Sequence, residues 1–358
     1  MSERATPVST PVTPAPSERG WGKLLIALAA FFFLPALPQV RVLLPIEQTA
    51  ALLVPAIAAC ALVGWWAGGR PFLAIAWVAI ATLLIWKTDV PGAGFDNLAR
   101  GWSLLLAGAF GLVCLLGPRR PFFARALATL GITLGLATLM SLIGPVSISQ
   151  ASKSIVVEFA RRNAETTTML NTAIQAHPKE WTDLTAKVPQ LAQAPAEMAK
   201  QLSAVADFGA IIFPAILALE SLAALALAWA TYHRLSRARL GPPLRPLRDF
   251  RFNDQLVWGL IVGLTILLLP TLTTMHGAGK NLLVFFGTLY ALRGFGVLTW
   301  FMAPGSLGVT LAVIFLLLFA PVLDAFAALA LLMLGVAALA LGLGDTWADW
   351  RSRARPTS

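Results

Sequence analysis

The sequence predicts an all-α fold: a polytopic integral membrane helical bundle of about ten transmembrane helices, N-in and C-in, with one extramembrane helical hairpin. Three observations predict it. Hydrophobic residues make up 58% of the 358 positions and charged residues 12%, with mean hydropathy +0.75, a balance foreign to soluble domains. The apolar residues fall in long runs broken by short connections. Lys and Arg gather in alternate connections, which is how positive charge marks the inner side of a membrane.

Residues 1–22 are rich in Pro, Ser and Thr and hold little that a core would bury, which predicts a disordered cytoplasmic tail. The first apolar run, Leu24 to Leu37, is short and has a basic flank. Its end, Pro35-Ala36-Leu37-Pro38, makes a poor cleavage site, so it reads as a retained first helix.

Further spans are expected at Thr49–Gly68, Pro71–Trp86, Gly101–Gly117 and Arg125–Gly144, which completes helices 1–5 within residues 23–146. After a polar interval (147–207), helices 6–10 occupy residues 208–344: Phe208–Tyr232, Gln255–Thr271, Asn281–Ala303, and a run from Leu307 to Gly344 too long for one crossing. Pro321 and Asp324 break that run, which predicts a tight hairpin of Leu307–Ala320 and Leu323–Leu343. Residues 345–358 form a second cytoplasmic tail.

An even count with both ends inside puts Arg4, Arg19, Lys23, Arg70, Arg119, Arg120, Arg125, the loop 233–254, Arg351, Arg353 and Arg355 on one side. Only Arg41, Lys87, Arg100 and Lys280 fall in the short loops opposite. The net charge of +10 is thereby explained as topology rather than as affinity for nucleic acid. Cys60 and Cys114 both lie within apolar spans and read as packing, not as a disulfide.

The outside interval carries two apolar stripes. Trp181, Leu184, Val188, Leu191, Met198, Leu202 and Val205 recur at helical spacing, with Pro189 and Pro195 expected to kink or divide the helix. Ile155, Phe159, Leu170 and Ile174 form a looser stripe, so a helical hairpin packed on itself or lying on the membrane is expected. On the inside, Arg234, Arg237, Arg239, Arg245, Arg248 and Arg251 surround three prolines, a candidate surface for anionic lipid or an acidic protein partner.

Chemistry is sparse. His177, His233 and His276 stand far apart without metal-site spacing, so neither metal nor cofactor is expected. HGAGKN (His276–Asn281) lacks the upstream glycine and the Ser or Thr of a phosphate loop. No nucleophile elbow or acid pair lies in the spans, and an enzyme is not expected.

What remains is an intramembrane polar set: Glu220 in the sixth span, and Asn281, Tyr290 and Arg293 in the eighth. An arginine at mid-bilayer costs roughly 2.5–3.5 kcal/mol on insertion scales, so Arg293 needs a partner or a purpose. Glu220 and Arg293 each lie about 18 Å into their helices, which permits an ion pair, and Tyr290 shares the face of Arg293. These four are the candidate substrate-binding residues.

The segments FRFNDQLVW, GKNLLVFFGTLYALRGFGVL and LGLGDTWADWRSR resemble the YybS-like family of bacterial membrane proteins. That family is distantly similar to the substrate-capture subunits of energy-coupling-factor vitamin transporters. The resemblance implies a multi-pass protein of the bacterial inner membrane and a small-molecule binding fold, although this chain has about ten spans where those subunits have six. The leading expectation is a non-enzymatic small-solute binding or permease-like protein. The alternative is a scaffold or assembly factor that recruits protein partners through the outside hairpin and the arginine loop.

Overall fold

The computed structural model describes residues 21–87, 94–144, 147–236, 239–301 and 325–348, and among these the regular structure is entirely helical. The first apolar run is divided by its prolines: α1 (Trp21–Phe33) passes through a 3-10 turn holding Pro35 into a short α2 (Pro38–Leu43) that starts on Pro38. α3 (Ile46–Trp66) and α4 (Pro71–Lys87) are joined by a turn in which Gly68 takes φ 91°, a conformation that suits glycine. α5 (Gly94–Leu116) and α6 (Phe122–Ile143) follow, and Pro121 precedes the latter.

The polar interval forms α7 (Ile148–Ala176), α8 (Pro178–Lys187) and the first part of α9 (Ala194–Leu235). A capping box between Ser147 and Gln150 starts α7 by satisfying free N–H groups at its first turn. α10 (Val257–Leu268), α11 (His276–Phe301) and α12 (Ala325–Ala348) complete the described chain.

Among the described residues, five helical segments are long and apolar enough to cross a membrane: Ile46–Trp66, Gly94–Leu116, Phe122–Ile143, Leu191–Leu235 and Pro270–Phe301. Shorter apolar helices lie at Trp21–Ala36, Pro71–Trp86, Asp254–Leu268 and Leu332–Ala348. The chain is thus an all-α membrane helical bundle. The expected span Leu307–Ala320 and the hairpin turn at Pro321 and Asp324 lie outside the described residues.

The largest departure from expectation is at the sixth span. In place of a helix starting at Phe208, α9 is a single helix of 42 residues, about 63 Å long and twice the thickness of a hydrocarbon core. The outside stripe Met198, Leu202 and Val205 runs in helical register straight into the membrane run. Pro195 does not interrupt it, because it sits in the first turn, where its missing N–H has no helical partner to lose. Pro189 likewise starts a 3-10 segment.

The bundle has two apolar cores. The larger joins α3, α5, α6 and α9 through Leu53, Cys60, Phe110, Leu225 and Trp229, with the Phe110 and Trp229 rings edge to face at 6.0 Å. Both cysteines are free and buried there. The smaller core gathers Val42, Phe95, Phe159, Leu202, Ala206 and Phe213, so α7 is seated on α9, α5 and α2 at the end of the bundle. It does not fold back only on itself.

At the opposite end, Gly64 lies against Tyr232, Arg125 lies over Trp229, and the Phe123 ring meets Phe250 and Phe252. The connections bearing Arg70, Arg119, Arg120 and residues 239–254 therefore collect at one end, the end that the charge pattern assigns to the cytoplasm.

α11 and α12 touch backbone to backbone. A Cβ added at Gly294 would collide with the Ala338 carbonyl, and one at Gly342 with the Tyr290 carbonyl, so only glycine permits this crossing. At Gly287 of the same helix a Cβ meets nothing. We expect Gly294→Ala to lower the unfolding temperature in detergent by the equivalent of about 1–3 kcal/mol. Gly287→Ala should be neutral or stabilising by up to about 1 kcal/mol. Equal effects from the two variants would contradict the packing.

Candidate functional site

The structure divides the predicted polar set into three separate places. Glu220, in the middle of α9, is 5% exposed. Its carboxylate accepts hydrogen bonds from Gln48 Nε2 at 2.6 Å and Thr49 Oγ1 at 2.9 Å, both in the first turn of α3. Gln48 Oε1 in turn accepts from Arg162 Nη2 of α7 at 3.0 Å. Arg162 also donates from Nη1 to the carbonyls of Val42 and Leu43, and from Nε to Glu158 Oε1 at 2.9 Å. Its guanidinium lies 4.9 Å from the centre of the Phe95 ring and 5.2 Å from that of Phe159.

A hydrogen-bonded chain thus runs from α7 through Gln48 to Glu220. Glu158 is the anionic end of it. Burial by itself would raise the Glu158 carboxyl, but hydrogen bonds from Arg161 and Arg162, reinforced by their charges, hold it below its ordinary value.

Asn281 is elsewhere. Its Oδ1 accepts from the Ala215 backbone N–H and its Nδ2 donates to the Ile211 carbonyl, both at 2.8 Å. These two backbone groups are the i, i+4 pair beside Pro214, where the proline ring disturbs the ladder of α9. Asn281 satisfies backbone groups there, a role that accounts for an amide in an apolar span without any ligand.

Tyr290 and Arg293 do share a face, as their spacing implied, but Glu220 is not their partner. Arg293 is 3% exposed; its Nη1 donates to Asp254 Oδ1 at 2.6 Å and its Nε to Asp345 Oδ2 at 2.9 Å. The Asp345 side chain is fully buried and Asp254 is mostly exposed. Tyr290 packs its ring on Phe252 at 5.0 Å and hydrogen-bonds Thr346. The expected Glu220–Arg293 pair fails for a geometric reason. α9 begins far before the membrane run, so equal offsets from Phe208 and Asn281 are not equal depths, while the 3-10 turn leading into α10 brings Asp254 to the level of Tyr290. Arg293 is a clamp between α10, α11 and α12.

Of the arginine loop, Arg239, Arg245 and Arg251 are exposed, Arg234 and Arg248 are half-buried, and Arg237 lies outside the described residues. The loop is laid down on the bundle: Trp229 Nε1 donates to the Pro242 carbonyl at 3.1 Å, and the Leu240 N–H to Tyr232 Oη at 2.8 Å. Arg248 pairs with Asp249 at 3.8 Å.

Arg125 departs from expectation. It was counted among the inside surface charges but is fully buried, 4.1 Å over the Trp229 ring, with Nη1 donating to Cys114 Sγ at 3.7 Å. Gly241, at φ 81°, leaves room for it, since a Cβ there would come 2.9 Å from Arg125 Nη2.

The sequence reading missed Gln48, Thr49, Arg162, Asp254 and Asp345. Gln48, Thr49, Asp254 and Asp345 sit at the end of a span or just beyond it, and Arg162 lies among the many charges of the polar interval, places where a polar residue draws no notice. Yet Asp254, Arg293 and Asp345 lie one in each of the three segments FRFNDQLVW, GKNLLVFFGTLYALRGFGVL and LGLGDTWADWRSR, and the structure brings those three segments together.

A family model described as a predicted membrane protein (DUF2232) matches residues 103–339, and the chain belongs to that family. The match supports the broader expectation of a membrane protein family and not the narrower likeness to YybS-like proteins or to energy-coupling-factor subunits. No curated protein and no solved structure matches the chain.

Double-mutant cycles separate the clusters. Arg293→Gln and Asp345→Asn should be non-additive in thermal unfolding, with a coupling of about 1–3 kcal/mol, because each removes the other's partner. Arg293→Gln and Glu220→Gln should add to within about 0.5 kcal/mol. Strong coupling in the second pair would contradict the separation.

Proposed function

We propose that this chain, a member of the DUF2232 family of predicted membrane proteins, is a non-enzymatic small-solute binding protein of the permease-like kind. Its working site is Glu220 with Gln48 and Thr49, and its solutes carry a small cationic group. The observation that carries the reading is the electrostatic state of Glu220. Among the described residues its carboxylate contacts only neutral donors, Gln48 and Thr49. The nearest guanidinium, Arg162, reaches it only through the Gln48 amide and is already committed to Glu158 and two carbonyls.

A buried carboxylate without its own cation is an uncompensated cost, and a ligand that brings the charge relieves it. α7 closes the site from the outer end, and Arg162 is the side chain it holds nearest to the carboxylate. Movement of α7 that withdraws Arg162 would uncover a compact acceptor set able to take a primary amine or a guanidine through charge-assisted hydrogen bonds. The exposed Arg239, Arg245 and Arg251 favour the second reading, a scaffold that recruits an acidic partner at the other end.

The test uses the purified full chain in lipid nanodiscs, with methylammonium and guanidinium ions as probes and sodium as the reference. At least one organic cation should raise the unfolding temperature in a saturable way, and Glu220→Gln should abolish that rise. Arg293→Gln should keep it. No specific stabilisation by either probe, or stabilisation that survives Glu220→Gln, would overturn the assignment.

A further inference from the structure

We infer that the chain holds an anionic glycerophospholipid in a built site between α3, α4 and α9, with Arg70 as the headgroup contact. Its α9 residues, Thr231 to Leu235, lie about 17–23 Å further along the helix than Glu220, so the site is independent of the proposed solute site.

A shallow, partly open groove lies between these helices. Its chemistry changes along its length. Away from the helix ends it is lined by Ile57 and Ala61 of α3 and Leu73 and Trp77 of α4, all apolar. The mouth carries Arg70 and Ser236, and no lining residue is acidic. From Ile57 to Trp65 the wall runs about 12 Å, enough for most of an acyl chain's upper half.

Three features favour a lipid over a packing defect. Arg70 is exposed and lines the groove just before α4 begins on Pro71. The floor is fixed by a close helix contact, since a Cβ at Gly64 would come 2.8 Å from Tyr232 and 3.1 Å from Ser236 Oγ. Trp65, half exposed, lines the rim, the position where an indole bridges headgroup and acyl region.

The gradient from an apolar shaft to a cationic and hydroxyl-bearing mouth matches an amphiphile with a negative head, and the site lies at the end of the bundle where the basic connections gather. Arg239 adds to the positive field there, for its Nε donates to the Ser236 carbonyl at 3.3 Å. A basic interhelical pocket of this kind takes a phosphodiester headgroup. A free phosphate would use the mouth alone and leave the shaft empty.

The experiment titrates the full chain in detergent with dioleoyl phosphatidylglycerol, dioleoyl phosphatidylcholine or inorganic phosphate, reading the unfolding temperature and the lipid retained in native mass spectrometry. Phosphatidylglycerol should bind and stabilise saturably, phosphatidylcholine more weakly, and inorganic phosphate not at all. Arg70→Gln should weaken phosphatidylglycerol by about fivefold, the factor expected for about 1 kcal/mol per basic residue at a membrane surface.

Ala61→Phe, which fills the shaft without touching the charge, should also reduce lipid retention. Because Arg70 is exposed, Arg70→Gln should unfold at the same temperature as the parent without lipid. Equal binding of the two lipids, stabilisation by inorganic phosphate, or an unchanged phosphatidylglycerol affinity in both variants would each overturn the inference.

Discussion

A charged or amide side chain placed between membrane helices is tolerated only where a neighbouring element supplies its hydrogen bonds, and the architecture of this chain follows from how that demand is met. Arg293 draws Asp254 and Asp345 to itself and so fixes the ends of α10 and α12 against α11. Asn281 binds α11 to α9 at the point where Pro214 disturbs the helix. Glu220 binds α9 to the start of α3. Since lipid offers little hydrophobic drive for helix association, such polar contacts and the glycine crossing at Gly294 and Gly342 decide which helices meet.

The three contacts differ in what they leave unsatisfied. Arg293 faces two carboxylates and is fully answered. Asn281 is answered by backbone. Glu220 is answered by an amide and a hydroxyl, neither of which brings charge, while Arg162, the nearby guanidinium among the described residues, is held by its own partners on α7 and α2. This asymmetry is why the functional proposal moves from the conspicuous arginine to the less conspicuous glutamate. The same end of the bundle is covered by α7, which packs Phe159 into the smaller core. On the solute-binding proposal, access to Glu220 and the seating of α7 are linked.

Much of the scaffold was legible in the sequence. Hydropathy located α3, α4, α6 and α11 closely, because a long apolar run bounded by Gly, Pro or Arg has few alternatives. Gly94 to Arg100 were missed from α5 because they carry Asp96 and Arg100, whose charge hides the helix from a hydropathy reading. The continuity of α9 was missed for the opposite reason. A boundary was drawn where polarity changed, although helical periodicity did not. Tyr290 and Arg293 on one face followed from spacing, but their partners did not, since Asp254 and Asp345 are distant in sequence and register between helices is set by packing. Arg125 shows the limit of charge counting: an arginine beside two others in a connection was buried by Trp229 and by the glycine turn at Gly241.

A hydrogen-bonded joint, Arg162 to Gln48 to Glu220, couples α7 to the membrane bundle. Hydrogen–deuterium exchange on the Gln48→Leu variant tests it most directly, because leucine fills the same space and removes both contacts. Faster exchange is expected along α7 and the first part of α9, with α10, α11 and α12 as protected as in the parent. Unchanged protection of α7 in that variant would contradict it.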